Sequence, residues 1–529
     1  MIDSFKTAVS AYQNYNGTGM QMALFFASLI YLLIQKKDKD KRFFFAGYTL
    51  LFFIICFFPL TAKLIMEGIG KEVYWRMFWL LPVTVVTAYT AVQILMQAEG
   101  TVKRYLLLAA MLLVIVLTGT NVYNSTIFEP KQNNYKLPQD AVDICDMIEQ
   151  DAKANGIAYK KLITVNELVN SIRQYDADIQ MPYANEAIMG RKIERKKAAE
   201  IFRLMNSEHK NWEALAWYAA MEKCNYLAYP ADGATAEILE NCGYEIVGSN
   251  ASYIVYRLNR TKKSYNGQWL ITQYGGADGN QLMFYILQDN KGHMIVVDGG
   301  WIDDAEYVKQ VIRTVDPHVD AWILTHPHFD HIGAFTALYN DLGKIEIDKV
   351  YAVDMASPEL CKERAPWDDT SVYEQFLQLD IEQLEYLHQG DAFDLLGLTF
   401  EVFNAYDDYV DDYSDDLLND GSMMFKITAE DESMLFCADV GKRMSDYLLD
   451  TWGDKLKSDY IQMGHHGNGG LKSDFYQFIG AKGAFFDAPE WLMHDTSGQY
   501  TTAKNSYLMS ETGALVYSFA TTPNQIILK

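Results

Sequence analysis

Three histidines and one aspartate fall within six residues of the sequence, in the stretch THPHFDH at residues 325–331. Imidazole nitrogen and carboxylate oxygen are ligands that zinc and similar divalent metals prefer. The stretch follows the apolar run 321–324 directly. A strand that ends there would deliver several metal-binding side chains into one small volume, so the stretch predicts a metal site.

Three other strand-like runs of the C-terminal half also end in His or Asp. They end at Asp298, at Asp439 and at the pair His465-His466. A predicted helix at 305–314 joins the Asp298 strand to the histidine stretch, and parallel strands of such a β-α-β unit present their ends at one edge. This pattern is typical of a two-metal hydrolytic site, where one metal polarises the scissile group and a shared water attacks as hydroxide.

The order of these motifs resembles the metallo-β-lactamase superfamily over residues 267–529. The motifs are Asp-Gly-Gly at 298–300, T-H-x-H-x-D-H at 325–331, the lone Asp439 and a late His. The resemblance implies a C-terminal αβ/βα sandwich with the metals at the sheet edges. Within the superfamily, residues 419–422 before a strand and the His-His-Gly at 465–467 are similar to the extracellular domain of ComEC-type competence proteins.

The resemblance also implies the metal ligands, which are carried over by matching position. It assigns the first metal to His326 and His328 and the second to Asp330 and His331. Asp439 would bridge both metals and His465 would complete the second site. Two zinc ions per site are implied, with manganese as the alternative.

Further roles follow from the same resemblance. Asp298 would orient the loop without binding metal. His466 would be a further ligand or a proton donor to the leaving group, and it is a candidate catalytic residue together with Asp330. Asn419 and Ser422 would support the first site, where many members of the superfamily have another histidine.

The charge of the chain is strongly negative and unevenly placed. The formal net charge is -24, and from Lys263 onward there are 44 Asp and Glu against 17 Lys and Arg. Such a surface repels polyanions except where metal ions reverse the local sign. The six cysteines lack C-x-x-C spacing, and Cys224 with Cys242 is either a pair of buried thiols or a disulfide.

Four apolar runs fill the first quarter of the chain and predict membrane-spanning helices. They are residues 18–34, 43–60, 75–96 and 105–119. Basic residues crowd the first and third connections, namely Lys36, Lys37, Lys39, Lys41, Arg42, Lys103 and Arg104. The positive-inside rule then places the N-terminus and everything after Gly119 outside the cell. The alternative of three spans would put the C-terminal part inside.

The segment between the membrane region and the metal motifs predicts a small α/β domain. Its signals are strands at 162–165 and 225–228, a helix at 235–241 and a hairpin of 244–248 with 253–257. The basic stretch 191–197 is interpreted as a solvated helical face, and Trp212 and Trp217 as core. The predicted domains are therefore 1–119 (transmembrane), 120–262 (small α/β) and 263–529 (metallo-β-lactamase-like).

These features together predict a membrane-anchored, extracytoplasmic metal-dependent hydrolase. Its partners would be the lipid bilayer and a phosphoester-containing envelope polymer or small molecule, such as a teichoic acid or its phosphorylcholine ester. A nuclease acting on DNA during uptake is the alternative enzyme, disfavoured because DNA binding normally relies on Lys and Arg. The non-enzyme alternative is a wall-binding or sensory anchor with a degenerate site.

Overall fold

The structure is a computed structural model of the whole chain. It describes residues 2–17, 19–35, 39–118, 130–259, 267–276, 278–519 and 523–529. The chain forms two compact units, Met1–Pro130 and Lys131–Lys529. The predicted boundaries at 119–120 and 262–263 lie outside the described residues, so the division into three domains stays a prediction.

The first unit is helical. Its α-helices are Ile2–Asn16, Met20–Ile34, Lys39–Phe57, Pro59–Ile69, Val83–Gln97 and Thr101–Thr118, with a 3-10 helix at Lys71–Leu80. Phe25, Tyr74 and Phe78 are buried between these helices, whereas Ile34 and Leu117 are among many large apolar side chains that remain exposed. An apolar outer surface is typical of helices that face lipid.

One continuous helical stretch of the described residues, Val73–Gln97, is long and apolar enough to cross a membrane. It contains the third predicted run. The number rises to three if each of two bent pairs forms one span, Ser4–Asn16 with Met20–Ile34 and Phe43–Phe57 with Pro59–Ile69. The second predicted run is bent by 77° where Pro59 starts a new helix, because proline cannot continue the preceding one.

The four-span topology and its orientation stay predictions. The fourth predicted run forms the helix Thr101–Thr118, which is not among these candidate spans. Gly119, Lys36 and Lys37, on which the predicted topology partly rests, lie outside the described residues.

The middle segment forms a five-stranded sheet with helices. The strands are β1 Lys160–Thr164, β2 Ile179–Gln180, β3 Tyr226–Pro230, β4 Tyr244–Ser249 and β5 Tyr253–Leu258, in the order β2-β1-β3-β5-β4. The helices are Gln139–Asn155, Asn166–Tyr175, Asn185–Ile188, Lys196–Asn206, Trp212–Met221 and Gly233–Asn241. The predicted hairpin is confirmed, because β4 and β5 pair antiparallel. Cys224 and Cys242 are buried and are not joined in a disulfide.

One prediction for the middle segment is wrong in part. Residues 191–195 are not helical, and a helix begins only at Lys196. Trp212 and Trp217 are buried, as the core interpretation requires.

The C-terminal part contains two seven-stranded sheets. Its strands are β6 Trp269–Gln273, β7 Phe284–Asp289, β8 Met294–Asp298, β9 His318–Val319, β10 Ala321–Ile323, β11 Glu346–Ile347, β12 Val350–Val353, β13 Leu384–Leu387, β14 Ala392–Leu395, β15 Leu398–Asn404, β16 Met424–Thr428, β17 Ser433–Phe436, β18 Tyr460–Gln462, β19 Gly483–Pro489, β20 Leu515–Phe519 and β21 Asn524–Leu528. The first sheet has the order β13-β12-β10-β8-β7-β6-β21 and the second β14-β15-β16-β17-β18-β19-β20. A separate pair is formed by β9 and β11.

α-Helices connect the strands of this part. They are Ala305–Val315, Phe329–Leu338, Pro358–Arg364, Ser371–Phe376, Asp408–Asp411, Leu417–Asp420, Ser445–Trp452, Ser473–Ile479, Glu490–Met493 and Thr502–Glu511. Phe329–Leu338 contacts β8 of the first sheet, and Thr502–Glu511 contacts β19 and β20 of the second. Between the sheets, the ring of Tyr285 packs against Phe436. This layering agrees with the predicted αβ/βα sandwich.

The register of the strands brings the His and Asp motifs together. β8 and β10 are parallel neighbours, so Asp298 and the loop after Ile323 leave the first sheet at the same edge. β17 and β18 are parallel neighbours in the second sheet, and the chain leaves their ends toward Asp439 and His465. The predicted β-α-β unit is therefore confirmed.

Candidate metal centre

The histidine loop is held in place by Asp298, the last residue of β8, whose backbone conformation is left-handed (φ +50°). Its Oδ1 accepts the backbone N–H of Thr325 at 2.8 Å, and its Oδ2 accepts the hydroxyl of Thr325 at 2.6 Å. The same Oδ2 lies 2.7 Å from Nδ1 of His331. That contact fixes the ring of His331, so that its Nε2 points away from Asp298.

Two groups of possible metal ligands lie next to each other at the sheet ends. The first consists of His326, His328 and Asp439, and the second of Asp330, His331 and His466. In each group the candidate ligand atoms lie within 4.8 Å of one another. Nearly all these side chains are buried. A volume lined only by imidazole and carboxylate groups is chemically suited to zinc.

Asp439 contacts both groups. Its Oδ1 is 3.1 Å from Nε2 of His331, and its Oδ2 is 3.8 Å from Nε2 of His326 and 3.6 Å from Nε2 of His466. The carboxylate of Asp439 is buried among these imidazole rings. A buried carboxylate is costly unless positive charge compensates it, and Asp439 is placed to share a cation between the two groups.

The electrostatics of the centre favour a positive charge there. Burial lowers the pKa of His331, but the charge of Asp439 and the hydrogen bond to Asp298 outweigh it, so that this pKa lies well above its ordinary value. Burial and the neighbouring His331 hold the pKa of His326 well below its usual range. A divalent metal would supply the charge that the carboxylates require. The residues present therefore fit a metal centre.

The structure places His465 and His466 differently from the sequence-based assignment. His466 is buried and its Nε2 lies 3.1 Å from Oδ2 of Asp330 and 3.2 Å from Nε2 of His331. The side chain of His465 is 41% exposed, and its Nε2 is 3.8 Å from Asp439. His466 therefore occupies the place in the second group that was assigned to His465.

The reason is a tight turn. His465 and His466 both have positive φ angles, 51° and 57°, so the alternation of a strand does not continue through them. Gly467 follows with φ +87°, and a Cβ atom there would lie 2.2 Å from Cδ1 of Phe486. Glycine is therefore required at position 467, both because a side chain would clash with Phe486 and because the backbone has a positive φ angle.

Asn419 and Ser422 have different surroundings. The Ser422 hydroxyl is buried and donates to the carbonyl of Asn419 at 2.6 Å. Nδ2 of Asn419 donates to Asp416 at 3.1 Å, and its buried Oδ1 has no partner. Asn419, but not Ser422, lines a cavity that opens beside Asp439.

That cavity has a volume of about 240 Å³ and opens beside Asp439 and His465. Two cations, Lys442 and Arg443, lie on its wall together with Asn419. The other lining residues are Trp367, Asp416, Asp420, Gly441, Gly469 and Gly470. The C-terminal part is otherwise strongly acidic, so two cationic side chains at one cavity are unusual there.

Asp368 was not predicted as part of the site. Its Oδ1 lies 2.9 Å from Nε2 of His328, and its buried Oδ2 has no partner. Burial lowers the pKa of His328, but the hydrogen bond to Asp368 outweighs this and raises it. Asp368 stands in an acidic loop with no distinguishing pattern, so the sequence contained no signal for it.

A second feature that was missed is a buried polar network behind the centre. Oε1 of Gln462 accepts the backbone N–H groups of Cys437 and Ala438, directly before Asp439. Its Nε2 donates to Asp487 at 3.0 Å. Asp487 also accepts the Tyr285 hydroxyl at 2.6 Å, from the other sheet. A signal existed here, because both Gln462 and Asp487 interrupt apolar strands.

Comparisons with known proteins bear on the C-terminal part. Residues 278–347 match the model of the family described as Metallo-beta-lactamase superfamily. This match contains Asp298 and the whole histidine loop. No curated protein matches the sequence.

Three solved structures illustrate the similarity. The metallo-beta-lactamase fold protein YhfI from Bacillus subtilis is 14% identical, covers 49% of this chain and 99% of its own, and has a TM-score of 0.32. A diphosphatase from the PhnP family is 13% identical over 50% of this chain and 97% of its own, with a TM-score of 0.29. A CmlA beta-hydroxylase mutant is 10% identical over 63% of this chain and 62% of its own, with a TM-score of 0.32. The family match, together with the sheets and the ligand groups, supports a metallo-β-lactamase-like, metal-dependent hydrolase domain.

Proposed function

We propose that this protein is a membrane-anchored hydrolase that cleaves a phosphoester of the cell envelope on the outer side of the membrane. The observation that carries the proposal is the pair of ligand groups joined by Asp439, beside a cavity with Lys442 and Arg443 on its wall. Ammonium and guanidinium groups bind phosphoryl oxygens by charge-assisted hydrogen bonds. An anionic ester is the substrate that this combination suits best.

Each residue of the centre has a task in the proposed reaction. His326, His328 and Asp439 would hold one metal, and Asp330, His331, His466 and Asp439 the other. Two bound metals would polarise the phosphoryl group and lower the pKa of the attacking water. Lys442 and Arg443 would orient the substrate, and Asp298 would keep His331 in the required tautomer.

His465 is the proposed proton donor to the leaving group. Its ring lines the cavity and is partly exposed, so it can reach both substrate and solvent. The sequence left two roles open for His466, metal ligand and proton donor. In this proposal His466 is the ligand and His465 is the proton donor.

The membrane location is supported by the apolar exposed surface of the first unit and by its candidate spans. The basic residues of the first and third connections support an outside position for the rest of the chain. The acidic charge of the catalytic part supports an envelope ester over DNA, although the resemblance to ComEC-type proteins makes DNA the necessary comparison.

The test uses the purified full chain in detergent. We expect at least one equivalent of zinc or manganese by elemental analysis, and hydrolysis of bis-p-nitrophenyl phosphate or p-nitrophenyl phosphorylcholine that requires the metal. His326→Ala should lose both metal and activity, whereas His388→Ala, an exposed histidine outside both groups, should keep them. Absence of metal would contradict the enzyme proposal, and cleavage of single-stranded DNA alone would contradict the envelope substrate.

A further inference from the structure

A second cavity, with a volume of about 620 Å³, lies between the middle segment and the first sheet of the C-terminal part. Both of its walls belong to the same compact unit. Its lining shares no residue with the cavity beside Asp439. The volume is in the range of sites for small organic molecules.

The rim of this second cavity is cationic. Five basic residues line it, namely Arg191, Lys192, Lys196, Lys197 and Arg313. In the described part of the chain no ion pair involves Lys196, Lys197 or Arg313. The chain as a whole carries a net charge of -24, so a concentration of cations in one concave place requires a specific explanation.

Three carboxylates also line the cavity, and each has a partner. Glu200 is 2.9 Å from Nε of Arg203, and Glu194 is 3.8 Å from Nζ of Lys192. Asp316 accepts the backbone N–H of His318 at 3.1 Å. The unpaired charge that faces the cavity is therefore positive.

The N-terminus of a helix adds to the positive potential of the cavity. The helix Lys196–Asn206 begins at the cavity, and Arg195 at its N-cap makes no side-chain hydrogen bond to the first turn. The N-terminus of a helix attracts anions through its open N–H groups and its dipole. Here that attraction coincides with the side chains of Lys196 and Lys197.

The inner wall supplies aromatic rings. The rings are those of Phe202, Trp217, Tyr218 and Tyr274. Trp217 and Tyr218 are buried, so that these rings form the floor of the cavity.

From these observations we propose that the second cavity binds a phosphorylated organic anion of small-molecule size. The cationic rim would hold the phosphate, and the aromatic wall would pack against the organic part. The site is separate from the metal centre and does not depend on the proposed hydrolysis.

The experiment is a calorimetric titration of the full chain, in detergent, with glycerol 3-phosphate as the probe and glycerol and inorganic phosphate as comparisons. His326→Ala serves as a background in which the metal centre is disabled. We expect glycerol 3-phosphate to bind equally well to this variant and to the wild type. The double variant Lys196→Gln/Lys197→Gln should weaken binding at least about tenfold.

The matched control is Lys153→Gln/Lys344→Gln, which removes the same charge from exposed lysines outside the cavity. It should leave binding unchanged. Competition by phosphatidylglycerol vesicles, but not by phosphatidylcholine vesicles, would identify a lipid headgroup as the source. No competition by either would identify a soluble ligand.

Three results would overturn the proposal. They are no heat with glycerol 3-phosphate, equal weakening in both double variants, or loss of binding in His326→Ala. Inorganic phosphate that binds as tightly as glycerol 3-phosphate would overturn the assignment of the aromatic wall.

Discussion

His465 and His466 are adjacent residues with opposite environments, one on the wall of the cavity and the other buried between Asp330 and His331. A ligand must face the metal, whereas a proton donor must also reach solvent. In the proposed mechanism, His466 would bind metal and His465 would transfer a proton, although the two residues are adjacent in one turn.

The first prediction exchanges each of these histidines for alanine. His466→Ala should release metal and reduce activity by at least about 100-fold, because it removes a ligand. His465→Ala should keep its metal and lose rate, with the loss smaller for substrates whose leaving group needs no proton. Metal content and kcat measured on substrates of differing leaving-group pKa would decide, and equal metal loss in both variants would contradict the assignment.

Asp298 provides a second prediction at this scale. Asp298→Asn keeps the shape of the side chain but replaces the carboxylate with a neutral amide. The amide accepts more weakly than the carboxylate, or donates in its place, where Asp298 contacts Nδ1 of His331 and Thr325. Metal affinity should fall by roughly 10–100-fold. Competition with a chelator measures this, and Asp303→Asn, a carboxylate outside both ligand groups, is the control. An unchanged affinity would show that Asp298 is not needed.

The sequence predicted where the metal centre lies better than it predicted which residues form it. The predicted strands ending near Asp298, His326 and Asp439 located the centre, because parallel strands present their ends at one edge of a sheet. The choice between His465 and His466 depends on two positive φ angles that no residue pattern reveals. Asp368 comes from a loop 40 positions after His328, and such long-range contacts leave no periodic signal.

Strands and turns around the centre are positioned by a buried polar network behind it. Gln462 holds the backbone before Asp439, and Asp487 holds Gln462. Desolvation raises the pKa of Asp487 from 3.8 to about 6. The strands that end near Asp439 and His465 were predicted from apolar runs, but the Tyr285 partner of Asp487 lies on a strand 202 positions earlier in the chain.

This shift gives a prediction of pH dependence. Because the pKa of Asp487 is raised in the folded state, its stabilising contribution is present at low pH and is lost as the pH rises through about 6. A shift from 3.8 to about 6 corresponds to about 3 kcal/mol. The wild type should therefore lose stability relative to Asp487→Asn between pH 4 and pH 7. Thermal unfolding of both proteins across this range is the measurement, and parallel curves would contradict it.

The turn after His466 gives a further prediction. Gly467→Ala would place a Cβ atom 2.2 Å from the ring of Phe486, and overpacking of this kind costs about 1–3 kcal/mol. Gly498→Ala is the matched control, because its φ is also positive (+78°) and it has open space. Gly467→Ala should lower the melting temperature and activity more than Gly498→Ala does. Equal effects would show that only the backbone conformation matters.

At the scale of the whole molecule, the middle segment and the C-terminal part share a core. Leu270 of β6 and Ile527 of β21 are buried among the apolar side chains of the middle segment. Asn211 donates to the carbonyl of Gln525 at 2.7 Å, and Arg203 donates to its side chain. The sequence could not predict this shared core, since composition does not reveal which apolar residues face a neighbouring part of the chain.

The predicted orientation in the membrane is tested with fused reporters. Alkaline phosphatase attached after Lys529 should be active, and a fluorescent protein at the same position should be dark, because the positive-inside rule places this end outside. Fusions after Gln97, in the predicted cytoplasmic third connection, should show the opposite pattern. A fluorescent protein that is bright after Lys529 would contradict the four-span topology.

The position of β21 has a consequence for the order of folding. This strand pairs with β6 in the first sheet, although the entire second sheet lies between them in the chain. During vectorial synthesis, β6 therefore remains an unpaired edge on one side until residues beyond 523 have emerged. Pairing across such a separation is slow, because loop closure precedes the gain in contacts. The middle segment, whose core includes Ile527, must wait for the same event, so both parts should become resistant to protease together.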